Sequence, residues 1–234
     1  MLAYHNDPEL KAVVVAQIQG HYDHDEIVHG QYWENGKGCL VGCGLHGSNH
    51  SKFETWIGIP EMLPRLADAI FEGLPSARSK EFVREFYGAP RVGADLSRLG
   101  WKWLEWLMLV ELDYVRDENV RACLAGSASV LAPLTRGEPI DVGAATEAAA
   151  RAATCAGTWT TWAAGAAEAA ARAAGAAGAA GAAATEAAAR AATWAARTAA
   201  RAATEAEARA AGAEAEAASY NRMADKLISL MAEA

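Results

Sequence analysis

The chain has 234 residues, a formal net charge of −8 and 52% hydrophobic residues. That acidic balance argues against a nucleic-acid backbone as the main partner, and no Lys/Arg cluster overturns it. No stretch approaches the roughly 20 apolar residues that a membrane span needs, and four cysteines are too few for a disulfide scaffold in a chain this long.

Composition shifts abruptly along the chain. Residues 1–138 carry mixed charges and most of the Leu and Val, whereas alanine makes up more than half of the stretch from Gly143 to Ala218. The pattern predicts an all-α protein in two parts. The first is an N-terminal multi-helix domain over 1–138 with a Cys/His-rich centre, and the second an alanine-rich antiparallel helical hairpin with a closing helix over 139–234. The opening residues Met1-Leu2-Ala3-Tyr4-His5-Asn6-Asp7 lack the basic segment and apolar run of a signal peptide. With Cys123 and Cys155 isolated in sequence, the expected setting is a reducing cytoplasm.

Asp7-Pro8-Glu9 reads as a helix start, with Asp at the N-cap, Pro at the first helical position and Glu in the first turn. Leu10, Val14 and Ile18 follow at intervals of four, and Val13 widens the apolar stripe. The segment His21-Tyr22-Asp23-His24-Asp25-Glu26-Ile27-Val28-His29 then sets three histidines among three acids, which is suitable chemistry for a metal or a proton relay. A solvated turn between helices accounts for most of them, and His24 and His29 are the candidates for an alternative site. The His24-Asp25 pair resembles the helical HD-type phosphohydrolases at that dipeptide alone. Tyr32 and Trp33 lead into an Asn35-Gly36 turn.

The centre of the first part is Lys37-Gly38-Cys39-Leu40-Val41-Gly42-Cys43-Gly44-Leu45-His46-Gly47-Ser48-Asn49-His50. Three chemistries fit it. Cys39, Cys43 and His46 are spaced to share one helix face, so they can form a buried seam of small apolar side chains. Thiolate and imidazole are also zinc ligands. On one straight helix Cys39 and His50 would lie about 16 Å apart, so a metal site needs the Gly47-Ser48-Asn49 turn to fold His50 back. The metal reading names Cys39, Cys43, His46 and His50 as zinc ligands, with Glu54 orienting His50 as an outer hydrogen-bond acceptor. Cys39 can also be a nucleophile, since a helix start and Lys37 both favour thiolate.

Pro60-Glu61 opens the next helix, in which Met62, Leu66, Ile70 and Leu74 form one apolar row and Leu63, Ala67 and Phe71 the adjacent one. Tyr32-Trp33, Lys37-Gly38-Cys39, Val41-Gly42-Cys43, His46, Gly58-Ile59-Pro60 and Phe71-Glu72-Gly73-Leu74-Pro75 resemble a group of uncharacterised bacterial and phage proteins. Those proteins also carry an alanine-rich, Trp-punctuated C-terminal tail. The resemblance covers residues 30–75 in detail and implies a family without a mechanism.

Ser79 to Tyr87 reads as a short amphipathic helix. Trp101 to Val110 is apolar almost all round, as a buried helix is, and Glu118 to Thr135 supplies one more. In the tail, three copies of Glu-Ala-Ala-Ala-Arg at 147–151, 168–172 and 186–190 place Glu four residues before Arg, the favourable orientation for helical ion pairs. One rod from Thr146 to Ala218 would exceed about 100 Å, so the glycines at 175, 178 and 181 are the expected break. Trp159, Trp162 and Trp194 would pin the hairpin, and Tyr220, Met223, Leu227 and Met231 would return to the globular part. The resulting expectation is a cytoplasmic helical binding protein with a structural zinc, its hairpin offering a surface to a protein partner or a second copy. The alternative is a thiol-dependent or metal-dependent hydrolase that combines the Cys39–His50 segment with the His21–His29 cluster.

Overall fold

The structure is a computed structural model that describes residues 1–114, 118–139, 141, 143–145, 147, 148, 150 and 213–234. It is all-α apart from one two-stranded ribbon. The chain forms two compact units, Met1–Ser97 with Tyr220–Ala234, and Arg98–Ser219. The expected alanine-rich hairpin with its glycine break falls outside the described residues. No helix among the described residues is long and apolar enough to cross a membrane.

In the first unit, helix α1 (Pro8–Asp23) starts where the sequence says: the Asp7 carboxylate accepts from the amides of Glu9 at 2.8 Å and Leu10 at 3.2 Å. Val14 and Ile18 are its buried row, but Val13 is 64% exposed. The widened stripe expected there is not used, because Val13 lies about 140° from Ile18 around the helix at ~100° per residue. Ahead of α1, Tyr4, His5 and Asn6 all hold positive φ, which carries the buried Tyr4 inward so that its hydroxyl donates to the Tyr87 carbonyl.

Asn35 (φ 52°) and Gly36 (φ 78°) make the two-residue turn between β1 (Trp33–Glu34) and β2 (Lys37–Gly38). Left-handed conformation at both central positions is the type I′ hairpin requirement that Asn-Gly meets best. On the other edge of β2, the Gly38 amide donates to Glu26 O and the Gly38 carbonyl accepts from Val28 N. Gly38 is thus fixed from both sides, and the next residue, Cys39, becomes the N-cap of α2 (Leu40–Leu45).

Helices α3 (Lys52–Ile57), α4 (Met62–Gly73) and α5 (Ser76–Gly88) complete the packing: α1 lies against α5 and α2, and α4 against α2 and α5. The side chains of Phe53, Leu63, Leu66, Phe71, Phe82, Phe86 and Tyr87 fill the space between them with almost no exposure. Gly42 is required by close approach, since a Cβ there would overlap the Tyr32 carbonyl. Helix α8 (Ala213–Glu233) places its Tyr220 ring where a Cβ on Gly73 would sit, and Met223, Leu227 and Met231 are buried with it.

In the second unit, α6 (Leu99–Tyr114) and α7 (Glu118–Arg136) form an antiparallel pair. Arg98 Nη1 donates to Arg136 O at 2.9 Å, joining the start of one helix to the end of the other, and Arg121 donates to Leu112 O at the opposite end. Trp103, Leu104, Leu107 and Met108 on α6 and Leu124, Ser127, Ala128 and Leu131 on α7 are buried. Leu109 is 49% exposed, so α6 is not buried all round as its composition suggests; one face carries the packing. Cys123 on α7 is disulfide-bonded rather than an isolated thiol.

Candidate metal site and histidine cluster

Cys39 reaches the interior because the ribbon delivers it, in extended conformation, to the mouth of α2. It faces α4, where Asp68 and Glu72 are four residues apart and so project from the same face. The Cys39 sulfur and one carboxylate oxygen from each of Asp68 and Glu72 all lie within 4.8 Å of one another. Cys39 is 1% and Asp68 7% exposed, whereas Glu72 is exposed and both its oxygens accept from the Gly30 amide at 3.2 and 3.0 Å. Asp68 Oδ1 is buried with no hydrogen-bond partner, and Oδ2 stands 3.6 Å from Nε2 of the buried His50.

The electrostatics of the group are one-sided. Burial, next the charge of Asp68, and also a hydrogen bond to Asp68 push the Cys39 thiol far above its usual range, while the amides of Gly42 and Val41 work the other way. A thiol nucleophile needs the opposite environment, one that favours thiolate. Sulfur and two carboxylates set this close are a donor set that could hold a cation.

The ligand set expected from sequence does not assemble. Cys39 belongs to the Asp68–Glu72 group, while the Cys43 thiol donates to Gly38 O at 3.3 Å. His46 pairs with His21, and His50 faces Asp68. The reason is local: His46 itself takes the left-handed conformation (φ 49°) that ends α2, so His46 and His50 leave in different directions from the two cysteines. Glu54 does not orient His50; its Oε1 accepts from the Glu61 amide at 3.0 Å. Among the alternative residues, His24 turns back to Gly20 O at 2.7 Å at the end of α1, and His29 packs edge-on against Phe71 with centroids 4.7 Å apart. Burial pushes the Cys43 thiol up to about 12, with the hydrogen bond to Gly38 opposing it and the charge of Glu26 adding to it.

A second cluster lies at the junction of α1, β1 and the end of α2. His21 Nδ1 is 2.6 Å from Glu26 Oε2, and His21 Nε2 is 3.0 Å from His46 Nε2. Trp33 stacks on His46 with centroids 4.2 Å apart and planes 17° off parallel, and meets His21 edge-on at 5.2 Å. Gln17 donates to the Cys43 and Gly44 carbonyls at 2.7 and 2.8 Å, satisfying the C-terminal end of α2 beneath this cluster. Burial and then His21 hold His46 below the usual imidazole range, and the hydrogen bond to His21 lowers Glu26.

The sequence reading missed Asp68 and Glu72, although a signal was present. Asp68 falls between Ala67 and Ala69 within the buried run of α4, and a buried acid requires a partner. No family model, curated protein or solved structure matches the chain.

Proposed function

We propose that the protein binds one divalent metal ion of the zinc class through Cys39, Asp68 and Glu72, with His50 beside them, and that this ion is structural. The observation that carries the reading is the buried, unpartnered Asp68 Oδ1 beside a buried thiol and a second carboxylate. Buried polar atoms without partners are rare because each costs about 1–3 kcal/mol. Ligand atoms of a tetrahedral zinc stand about 3.3–3.8 Å apart given its bond lengths, so a group already within 4.8 Å closes with small side-chain shifts. The ion would tie the β2–α2 junction to α4 and, through the Glu72–Gly30 hydrogen bonds, to the loop before β1. In the same proposal the protein is a helical binding module, with its partner-facing or self-associating surface in the alanine-rich segment.

Urea unfolding with and without zinc tests the reading. A ligand at 100 times its Kd stabilises the folded state by about 2.7 kcal/mol. The midpoint should rise with zinc in the unaltered chain and in Cys43→Ser, and stay put in Asp68→Asn. An equal rise in Asp68→Asn, or no rise in the unaltered chain, would contradict it.

A further inference from the structure

Glu26, His21 and His46 form a hydrogen-bonded chain that shares no residue with the Cys39 group. Glu26 Oε2 lies 2.6 Å from His21 Nδ1, so the carboxylate accepts the Nδ1 hydrogen and His21 Nε2 keeps a lone pair. Across from it, at 3.0 Å, stands His46 Nε2, with the ring planes 80° apart and the centroids separated by 5.2 Å. The two nitrogens face each other, and one hydrogen between them makes an N–H···N bond. Gln17 does not compete for it, because its amide hydrogens already go to the Cys43 and Gly44 carbonyls. The hydrogen therefore comes from His46, and the chain runs from His46 through His21 to Glu26.

Proton counting gives this arrangement a threshold. The neutral pair holds one hydrogen between the rings and a lone pair on His46 Nδ1. A first added proton takes that lone pair and leaves the N–H···N bond in place. A second has only the space between the facing nitrogens. Two N–H groups 3.0 Å apart have no acceptor between them, and the two imidazolium charges repel. We propose that Glu26, His21 and His46 form an acid-released latch, which tolerates one added proton and opens on the second by swinging His46 away from His21 and off Trp33.

His46 is the member free to move. It is exposed, whereas the His21 side chain is only 11% exposed and tied to Glu26. The His46 ring stacks on Trp33 at 4.2 Å, so opening uncovers one face of an aromatic side chain on the β1–β2 ribbon. The charged groups around the pair come from several elements. Glu26 faces His21 from the loop after α1, and His24 at the end of α1 and Lys37 on β2 act on Glu26. On α5, Lys80 is taken up by Asp25, and the buried Tyr87 hydroxyl against Gly44 of α2 stays protonated. On α4, Asp68 and Glu72 lie with Cys39, at the other end of α2 from His46. Burial and then His21 lower His46, with Glu26 opposing them. A lowered imidazole means that the unfolded chain takes up the proton first as pH falls. The stabilisation by the latch is thus complete above about pH 7 and is lost progressively below the ordinary value of 6.5.

Imidazole nitrogen NMR of the full chain from about pH 8 to about pH 4, the range that spans histidine titration, tests the latch. The parent should show a spin coupling between His21 Nε2 and His46 Nε2 at neutral pH and two separate proton-uptake steps. The Trp33 indole signal, assigned by its loss in Trp33→Phe, should shift with the second step alone. His46→Asn keeps a residue suited to left-handed backbone and should leave the Trp33 signal flat over the same range. His21→Gln, checked for its fold by circular dichroism, should raise the His46 midpoint. Glu26→Gln removes a neighbouring negative charge and should lower the pH at which Trp33 responds. Asp68→Asn should change none of these readings, which separates the latch from the Cys39 group. A His46 midpoint unmoved in His21→Gln, a Trp33 signal that is flat in the parent or follows pH equally in His46→Asn, or loss of the Trp33 response in Asp68→Asn alone would overturn the proposal.

Discussion

Replacing Gly42 by alanine adds one methyl group where the Tyr32 carbonyl lies, with Tyr32 Cα also only 3.3 Å away. Both neighbours are backbone, so the overlap cannot be relieved by a rotamer change. The loop before β1 has to move away from α2, and the Cys39 N–Gln31 O hydrogen bond of 2.8 Å spans that same contact. Overpacking costs about 1–3 kcal/mol, and a lost hydrogen bond that strands a buried group about 1–3 kcal/mol more. Alanine's helix propensity returns ~1 kcal/mol, leaving a net loss of about 1–5 kcal/mol. Gly20→Ala in α1 is the matched control, because a Cβ there meets nothing within 4 Å, and it should be neutral or stabilise by up to about 1 kcal/mol. Urea unfolding of the two variants beside the parent measures both effects. Equal stability of Gly42→Ala and the parent would refute the view that α2 is glycine-rich because a backbone crosses it.

Further outcomes follow from the same packing. Val13→Lys should change stability by no more than about 0.5 kcal/mol, as exposed substitutions do, whereas Ile18→Ala on the buried row should cost about 2–5 kcal/mol; equal effects would contradict the burial pattern of α1. The Cys43 thiol titrates near 12 folded against an ordinary value of 9.0. A raised folded value means its contribution is complete below about pH 9 and is lost as pH climbs toward 12. The stability difference between the parent and Cys43→Ala should therefore shrink from about pH 8 to about pH 11, and a difference that grows over that interval would contradict the burial of Cys43. Asp95 accepts from both the hydroxyl and the amide of Ser97, which lower its carboxyl to about 2. Its carbon resonance should titrate at that low midpoint, and Ser97→Ala should bring the midpoint back up.

Much of the scaffold was legible because single residues forced it. Asp7-Pro8 set the start of α1, the Met62–Ile70 row set the buried side of α4, and Asn35-Gly36 marked the turn that became the hairpin. The site was less legible, for a physical reason. Helical spacing placed Cys39, Cys43 and His46 on one face, but that inference holds only inside a continuous helix. Here Cys39 caps α2 from outside and His46 ends it in left-handed conformation, so the three side chains separate. The true neighbours of Cys39 come from α4, 29 and 33 residues onward in sequence, a distance that local periodicity does not reach. The pairing of His21 with His46 is long-range in the same way, although both stood in segments already rich in metal-binding side chains.

The central claim is that Cys39 and α4, not the four Cys and His residues of one segment, form the metal site. Cobalt(II) substitution tests it most directly, because thiolate bound to cobalt gives a charge-transfer band that buried free thiols lack. The band should appear in the parent and in Cys43→Ser, vanish in Cys39→Ser, and weaken or shift in Asp68→Asn and Glu72→Gln. No band in the parent, or a band that survives Asp68→Asn unchanged and disappears in Cys43→Ser, would contradict the account.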